Sequence, residues 1–299
     1  MARLKKYTLF ALLVLALQQT GNSQPISDLS RFCDYTGLID NVPSPEKEER
    51  EKLYLQLVGV LHELWDYRQK YRTAGHFMDI FPSVYYHITS LEMDKIRLGA
   101  YQHPTWKMSQ MLAFYEAYSV NRRNWDTNNK GAVEPHWVNH FTVANEQYNG
   151  VNWLCTGIQQ TLNTAINAHV IYDLPRSIRF AFNNKTNPNL TESDIKPEFM
   201  AVNASFSSAL QFAVDDIEEA SSLICDFFIN IGQLLLPSDV ILKRQSAWYD
   251  AFNSGKVLQY NGSPLSQHPY SAVVRSQLAD KGKNRCNGKV NATLFLFDL

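Results

Sequence analysis

Residues 159–175 read Gln159-Gln160-Thr161-Leu162-Asn163-Thr164-Ala165-Ile166-Asn167-Ala168-His169-Val170-Ile171-Tyr172-Asp173-Leu174-Pro175. At about 100° per residue, Leu154, Ile158, Leu162, Ala165 and Ile166 fall on one apolar stripe, which predicts an amphipathic helix. Continued, the stripe reaches His169 and Asp173, which stand four residues apart and are therefore neighbours on a helix surface. Pro175 has no amide hydrogen and disfavours helical geometry before it, so the helix is expected to stop there. The pair points towards the core, where a carboxylate is costly unless something satisfies it. His169 and Asp173 are therefore the candidate site, and their partner is the functional question.

Helical signals continue on both sides. Ser44-Pro45-Glu46 opens a helix that runs to about Arg72, with a cap, a proline at the first position and acids at the positive end. His62 and Asp66, four apart on its flank, read as a solvated face. A second helix begins near Pro82 and runs to Lys95, with His87 partly exposed beside its stripe. Pro104 and Pro135 start two more. In the latter, Trp137 and Phe141 face inward, while His136 and His140 share a side off the stripe. Beyond Pro175 the spacing predicts a short basic helix, Arg176 to Phe182, then a loop over 183–195. Phe206 to Gly232 is a long helix carrying Asp215, Asp216, Glu218 and Glu219, which read as a solvated face. Ser238 to Phe252 is the last clear helix, residues 270–280 give a final turn or two, and the apolar tail docks. Alternating strand patterns, fixed-period repeats and linkers are not seen. The fold class is therefore all-α, a single-domain multi-helix bundle with a long buried central helix.

Composition agrees. A chain that is 45% hydrophobic and 19% charged packs a core rather than staying disordered. The formal net charge of −1 gives no electrostatic reason to expect nucleic-acid binding. Arg3, Lys5 and Lys6 precede the apolar run Leu9–Leu17, with small residues at 21–23, so 1–23 reads as a signal peptide. Residues 24–299 then form the secreted domain, without a transmembrane segment in the mature chain. Asn184, Asn189, Asn203, Asn261 and Asn291 each begin a glycosylation sequon. Cys33, Cys155, Cys225 and Cys286 make an even set for which two disulfides and three connectivities are open. The favoured pairing is Cys155–Cys225 between core helices and Cys33–Cys286 between the ends.

The run Asn167-Ala168-His169-Val170-Ile171-Tyr172-Asp173-Leu174-Pro175 closely resembles the signature of a helical family catalogued as domain of unknown function 5995. Asp79-x-Phe81-x-x-Val84-Tyr85, His103-Pro104-x-Trp106 and Arg244-x-x-Ala247-Trp248-x-x-Ala251 are similar to its flanking motifs. The resemblance covers roughly 50–255 and implies a helical core in which His169 and Asp173 matter, without implying a reaction. A weaker resemblance links His169-x-x-x-Asp173 followed by proline to the zinc-dependent phospholipase C and P1-type nuclease families. Those are secreted helical enzymes that hydrolyse phosphate esters with zinc. Arg176 and Ser177 stand where those enzymes carry a further histidine ligand.

Three readings follow. His169 and Asp173 bind a divalent metal such as zinc, completed by His140, His87 or Asp79, in a hydrolase of phosphate-ester class. Alternatively Asp173 orients His169 as a metal-free general base. In the third, the protein is a non-catalytic secreted carrier of a small-molecule or lipid ligand, and the pair is structural.

Overall fold

The computed structural model describes residues 29–40, 42–74, 76–145, 151–206, 208–209, 212, 237–253, 259–260, 263–264 and 271–287. Residues 1–23, the acidic cluster at 215–219, Cys225, Asn261, Asn291 and the tail lie outside the described residues, and with them go the signal-peptide reading and the Cys155–Cys225 pairing.

The architecture is all-α. Two helical turns, Ser30–Cys33 and Thr36–Ile39, lead into α1 (Ser44–Thr73), α2 (Ile80–Arg97) and α3 (Pro104–Asp126). Then come α4 (Pro135–Ala144), α5 (Val151–Ile166), a π-helical segment (Asn167–Asp173) and α6 (Leu174–Asn183). α7 (Glu192–Ala201), α8 (Pro237–Phe252) and α9 (Ser271–Cys286) complete the bundle. Among the described residues the strands are one antiparallel pair, Gln259–Tyr260 with Ser263–Pro264. None of the described helices is long and apolar enough to cross a membrane.

Proline stands at the first or second position of α1, α3 and α4, where its missing N–H costs nothing. Pro175 stands likewise in α6, and here the expectation of a stop fails. The chain passes from α5 through the π segment into α6 without leaving the helix. The Leu174 amide donates to the His169 carbonyl, five residues back. In an ordinary helix the Pro175 ring would press on the carbonyl four residues before it. The wider π register relieves that crowding, and π turns recur at functional sites.

The π segment joins two cores. Ala168 packs into the larger, with Leu57, Leu61, Met108, Tyr118, Trp137 and Phe141. Val170 and Leu174 pack into the smaller, with Ile178, Phe199 and Trp248. This stretch is not wrapped on every side, because Ile171 and Tyr172 are exposed. The helix buried all round is α1, from Leu53 to Leu61.

α9 lies along α1 and is longer than the final turn or two expected. Its approach is close because two glycines face each other. A Cβ on Gly59 would run into the Leu278 carbonyl, and one on Gly282 into that of Leu55. The expected loop after α6 ends early, because Thr191 and Asp194 form a capping box that starts α7. Asn184 and Asn189 are exposed between those helices. Asn203 is half-buried, and its Oδ1 accepts from Arg244 Nε at 2.7 Å.

Candidate functional site

The π segment carries His169 and Asp173 to the seam between the cores, where both are buried. Asp173 Oδ2 accepts from His169 Nδ1 at 3.0 Å and from Trp137 Nε1 at 3.0 Å. Its Oδ1 accepts from Arg176 Nη2 at 2.5 Å. Arg176 also reaches Glu134, with Nη1 to Oε1 at 2.6 Å and Nη2 to Oε2 at 3.2 Å. Glu134 sits just before Pro135 at the start of α4. Asn121 of α3 fixes it twice: Nδ2 donates to Glu134 Oε2 at 3.2 Å, and Oδ1 accepts the Glu134 amide at 2.7 Å. Buried carboxylates persist only when paired and hydrogen-bonded, and this network supplies both conditions.

Burial by itself raises the Asp173 pKa. The Arg176 charge and the bonds from His136 and His169 outweigh it and hold the carboxyl well below the usual carboxylate range. Asp173 is therefore ionised and can only accept. That assigns the proton of His169 to Nδ1 and leaves Nε2 with a lone pair. Nε2 is buried and has no hydrogen-bond partner among the described residues. Burial pushes the His169 pKa down more than Asp173 pulls it up, so the ring is neutral. Phe114 stacks on it with centroids 3.4 Å apart, and Tyr85 and Phe81 meet it at 4.8 and 5.3 Å.

His169 also lines a partly open cavity of about 80 Å³. Its walls are mostly apolar, among them Leu57, Val84, Ile88, Leu162, Val170 and Leu174. A neutral imidazole with one nitrogen held and the other unpartnered can accept a proton from a group brought against it.

The other expected ligands are elsewhere. His140 is buried rather than off the stripe, with Nδ1 3.2 Å from Thr164 Oγ1, and it is outside the candidate donor group. Asp79 pairs with Arg72 at 3.2 Å. His87 is buried, not partly exposed, and packs near Phe212. In their place Glu134, His136 and Asp173 form a possible metal-binding triad, with ligand atoms within 4.8 Å of one another. His136 Nε2 is 3.5 Å from both carboxylates, and its ring stacks on Tyr172 at 4.5 Å. The Arg176 guanidinium already stands among these donors, 3.4 Å from His136 Nε2 and bonded to both acids. With that cation in place, the donor set does not fit a resident metal ion.

Sequence reasoning missed Glu134, Arg176 and the polar role of Trp137. One signal was available: Arg176 stands three residues after Asp173, which is ion-pair spacing on a helix. Glu134 carried none, because it precedes its helix and lies 39 positions from its nearest acid partner at the site, as 173 − 134 shows.

A pH dependence follows from the buried histidines. Burial pushes the His140 pKa down to about 3, against the bond to the Thr161 backbone, which raises it. The unfolded ring, near 6.5, takes up a proton that the folded ring refuses, so stability falls as pH drops below about 6.5. His169 acts in the same sense. Urea unfolding is expected to lose about 1.4 kcal/mol per pH unit through His140 between about pH 6.5 and 4. His140→Gln should flatten that slope by one histidine's share. An unchanged slope would contradict the burial of a neutral His140.

Comparison with known proteins agrees with the motif. No curated protein and no solved structure matches the chain. The model of a family of unknown function, DUF5995, matches residues 57–264, a span that holds α2 to α8 and every residue of the site. The chain belongs to that family.

Proposed function

We propose that the protein is a hydrolase that works by metal-free acid–base chemistry on a small ester with an apolar body, with His169 as the general base. The observation that carries this reading is the imidazole itself. Nδ1 is tied to an ionised Asp173, Nε2 is buried and unpartnered among the described residues, and the residue lines the cavity. Nε2 takes a proton from water as the water oxygen adds to the ester's electrophilic centre. The resulting imidazolium, opposite Asp173, returns the proton to the leaving alkoxide as the ester bond breaks. Asp173 is the positioning residue: it holds the tautomer and balances the transient charge.

The test is hydrolysis of short-chain acyl and phosphate esters, followed by proton release with and without a chelator. His169→Gln is expected to lower kcat/KM by about 10²- to 10⁴-fold, and the chelator to change nothing. Activity that survives in His169→Gln would sink the base assignment. The donors Glu134, His136 and Asp173 favour a second reading, a metal-dependent hydrolase of phosphate esters in which a divalent ion such as zinc displaces Arg176. Chelator-sensitive turnover with stoichiometric metal would decide for it. A folded protein that binds esters without turning them over would decide for a carrier. We also read the chain as secreted: the basic and apolar start of the sequence suggests it, and the Cys33–Cys286 disulfide is consistent with an oxidising compartment.

A further inference from the structure

The cavity that His169 lines is also lined by three charged residues, Glu92, Lys107 and Arg244, all buried. Among the described residues their charges do not balance. Glu92 Oε1 accepts from Lys95 Nζ at 3.1 Å and Ser205 Oγ at 2.6 Å. Its Oε2 accepts from the Tyr101 hydroxyl and lies 3.3 Å from Lys107 Nζ. One carboxylate thus serves two lysines, and its oxygens are fully used. Among the described residues Arg244 bonds neutral acceptors, Asn203 Oδ1 at 2.7 Å and the Phe199 carbonyl at 2.6 Å. Glu198 bonds neither Lys107 nor Arg244: its Oε1 takes the amides of Gln102 and His103 at 2.6 and 2.9 Å, and its buried Oε2 has no hydrogen-bond partner among the described residues. Among the described residues, three cations therefore stand with one carboxylate beside an apolar cavity. A buried cation without an anion is costly, and structures retain such charges where they are paired or serve a ligand.

We infer that Lys107 and Arg244 form the seat for an oxyanion head, carboxylate or phosphate, of a ligand whose short apolar body fills the cavity against His169. The size fits a short chain, because about 80 Å³ is roughly half of the ~150 Å³ that takes up benzene. The charges of the seat lean the same way. Burial pushes Lys107 down to about 8, Glu92 pulls it up, and Arg244 and Lys95 push it down again. An entering anion would relieve that repulsion. The inference rests on the proposed function for the meaning of the site, since it names the substrate class. It does not rest on that reading for its test.

Binding is measured by calorimetry on the intact protein, without turnover, with four probes: butyrate, butyl phosphate, 1-butanol and inorganic phosphate. At least one of the two amphipathic anions is expected to bind about tenfold or more tightly than 1-butanol and than inorganic phosphate. Which of the two it is identifies the head. Arg244→Gln and Lys107→Met are each expected to weaken that binding by about ten- to hundredfold, the scale of a lost charge-assisted hydrogen bond. Equal binding of butanol would overturn the seat, and equal binding of inorganic phosphate would overturn the apolar body. If either variant fails to fold, the acid-against-alcohol comparison in the parent decides alone. The same titrations on His169→Gln separate the two proposals. Anion binding retained there, whatever the esterase result, supports the seat independently of the base. Esterase activity in the parent with no anion preference overturns the seat and leaves the base standing.

Discussion

Asp173→Asn is expected to destabilise the protein by about 3–5 kcal/mol, the range for breaking a buried pair by removing one partner. The same change should lower turnover by about 10²- to 10⁴-fold. The reason is donor geometry. Asp173 accepts on one oxygen from Trp137 and His169 and on the other from Arg176. Asparagine keeps only one acceptor. If its oxygen faces Trp137 and His169, its NH₂ meets the Arg176 guanidinium donor to donor. If it flips, its NH₂ meets the Trp137 N–H, and His169 must accept at Nδ1. The proton then moves to Nε2, and the base is lost. Arg176 keeps Glu134 in either case, so a folded but weakened protein is expected rather than collapse. Urea unfolding reads the first effect, and ¹⁵N NMR of the imidazole reads the second as a change of protonated nitrogen. A variant within about 0.5 kcal/mol of the parent, the range of an ordinary surface change, would mean that the network does not hold the seam. An unchanged imidazole spectrum with lost activity would move the role of Asp173 away from tautomer control.

Much of this was legible in residue spacing, and what was not has physical causes. His169 and Asp173 lie on the stripe of their helix, so their burial and contact could be read from a period of 3.6. The π register could not, because the same residues satisfy either winding. Only the pressure of Pro175 on its preceding turn distinguishes them. Read as a stop, Pro175 detached Arg176 from Asp173, and the cation that completes the site was placed in a separate short basic helix. His140 is the converse error. It was set off the apolar stripe of its helix, yet it is buried where α4 packs beside α5, against Trp137 and Phe81. α9 was under-read because Gly282, through which it approaches α1, carries no hydrophobic signal. Its contact comes from the absence of a side chain, which hydropathy does not count.

The Cys33–Cys286 bond joins residues 253 positions apart, and both lie outside the span that matches the family. Cys33 ends the turn that buries Phe32, and Cys286 ends α9, whose Val274 and Leu278 sit in the larger core. The bond therefore closes a clasp around the matched helices rather than stapling a loop. Cross-linking so long a loop removes much of the unfolded chain's freedom, worth about 5 kcal/mol on the chain-entropy relation as an upper value. Cys33→Ser with Cys286→Ser is expected to cost about 2–5 kcal/mol in urea unfolding. Loss should be local before it is global. α9 keeps Arg275–Glu116 and Lys281–Glu63, each 2.6 Å, along sixteen residues of helix, while the turns before α1 are four residues each and keep Arg31–Ser90 at 2.7 Å and Tyr35–Glu51 at 2.9 Å. Hydrogen exchange should thus rise first over 30–39, then in α9, and last at the His169–Asp173 seam. If exchange rose first at the seam, the clasp would be coupled directly to the site. If both thiols were free and stability unchanged, α9 would be held by its packing on α1 alone, and the glycine contact would carry what is assigned here to the bond.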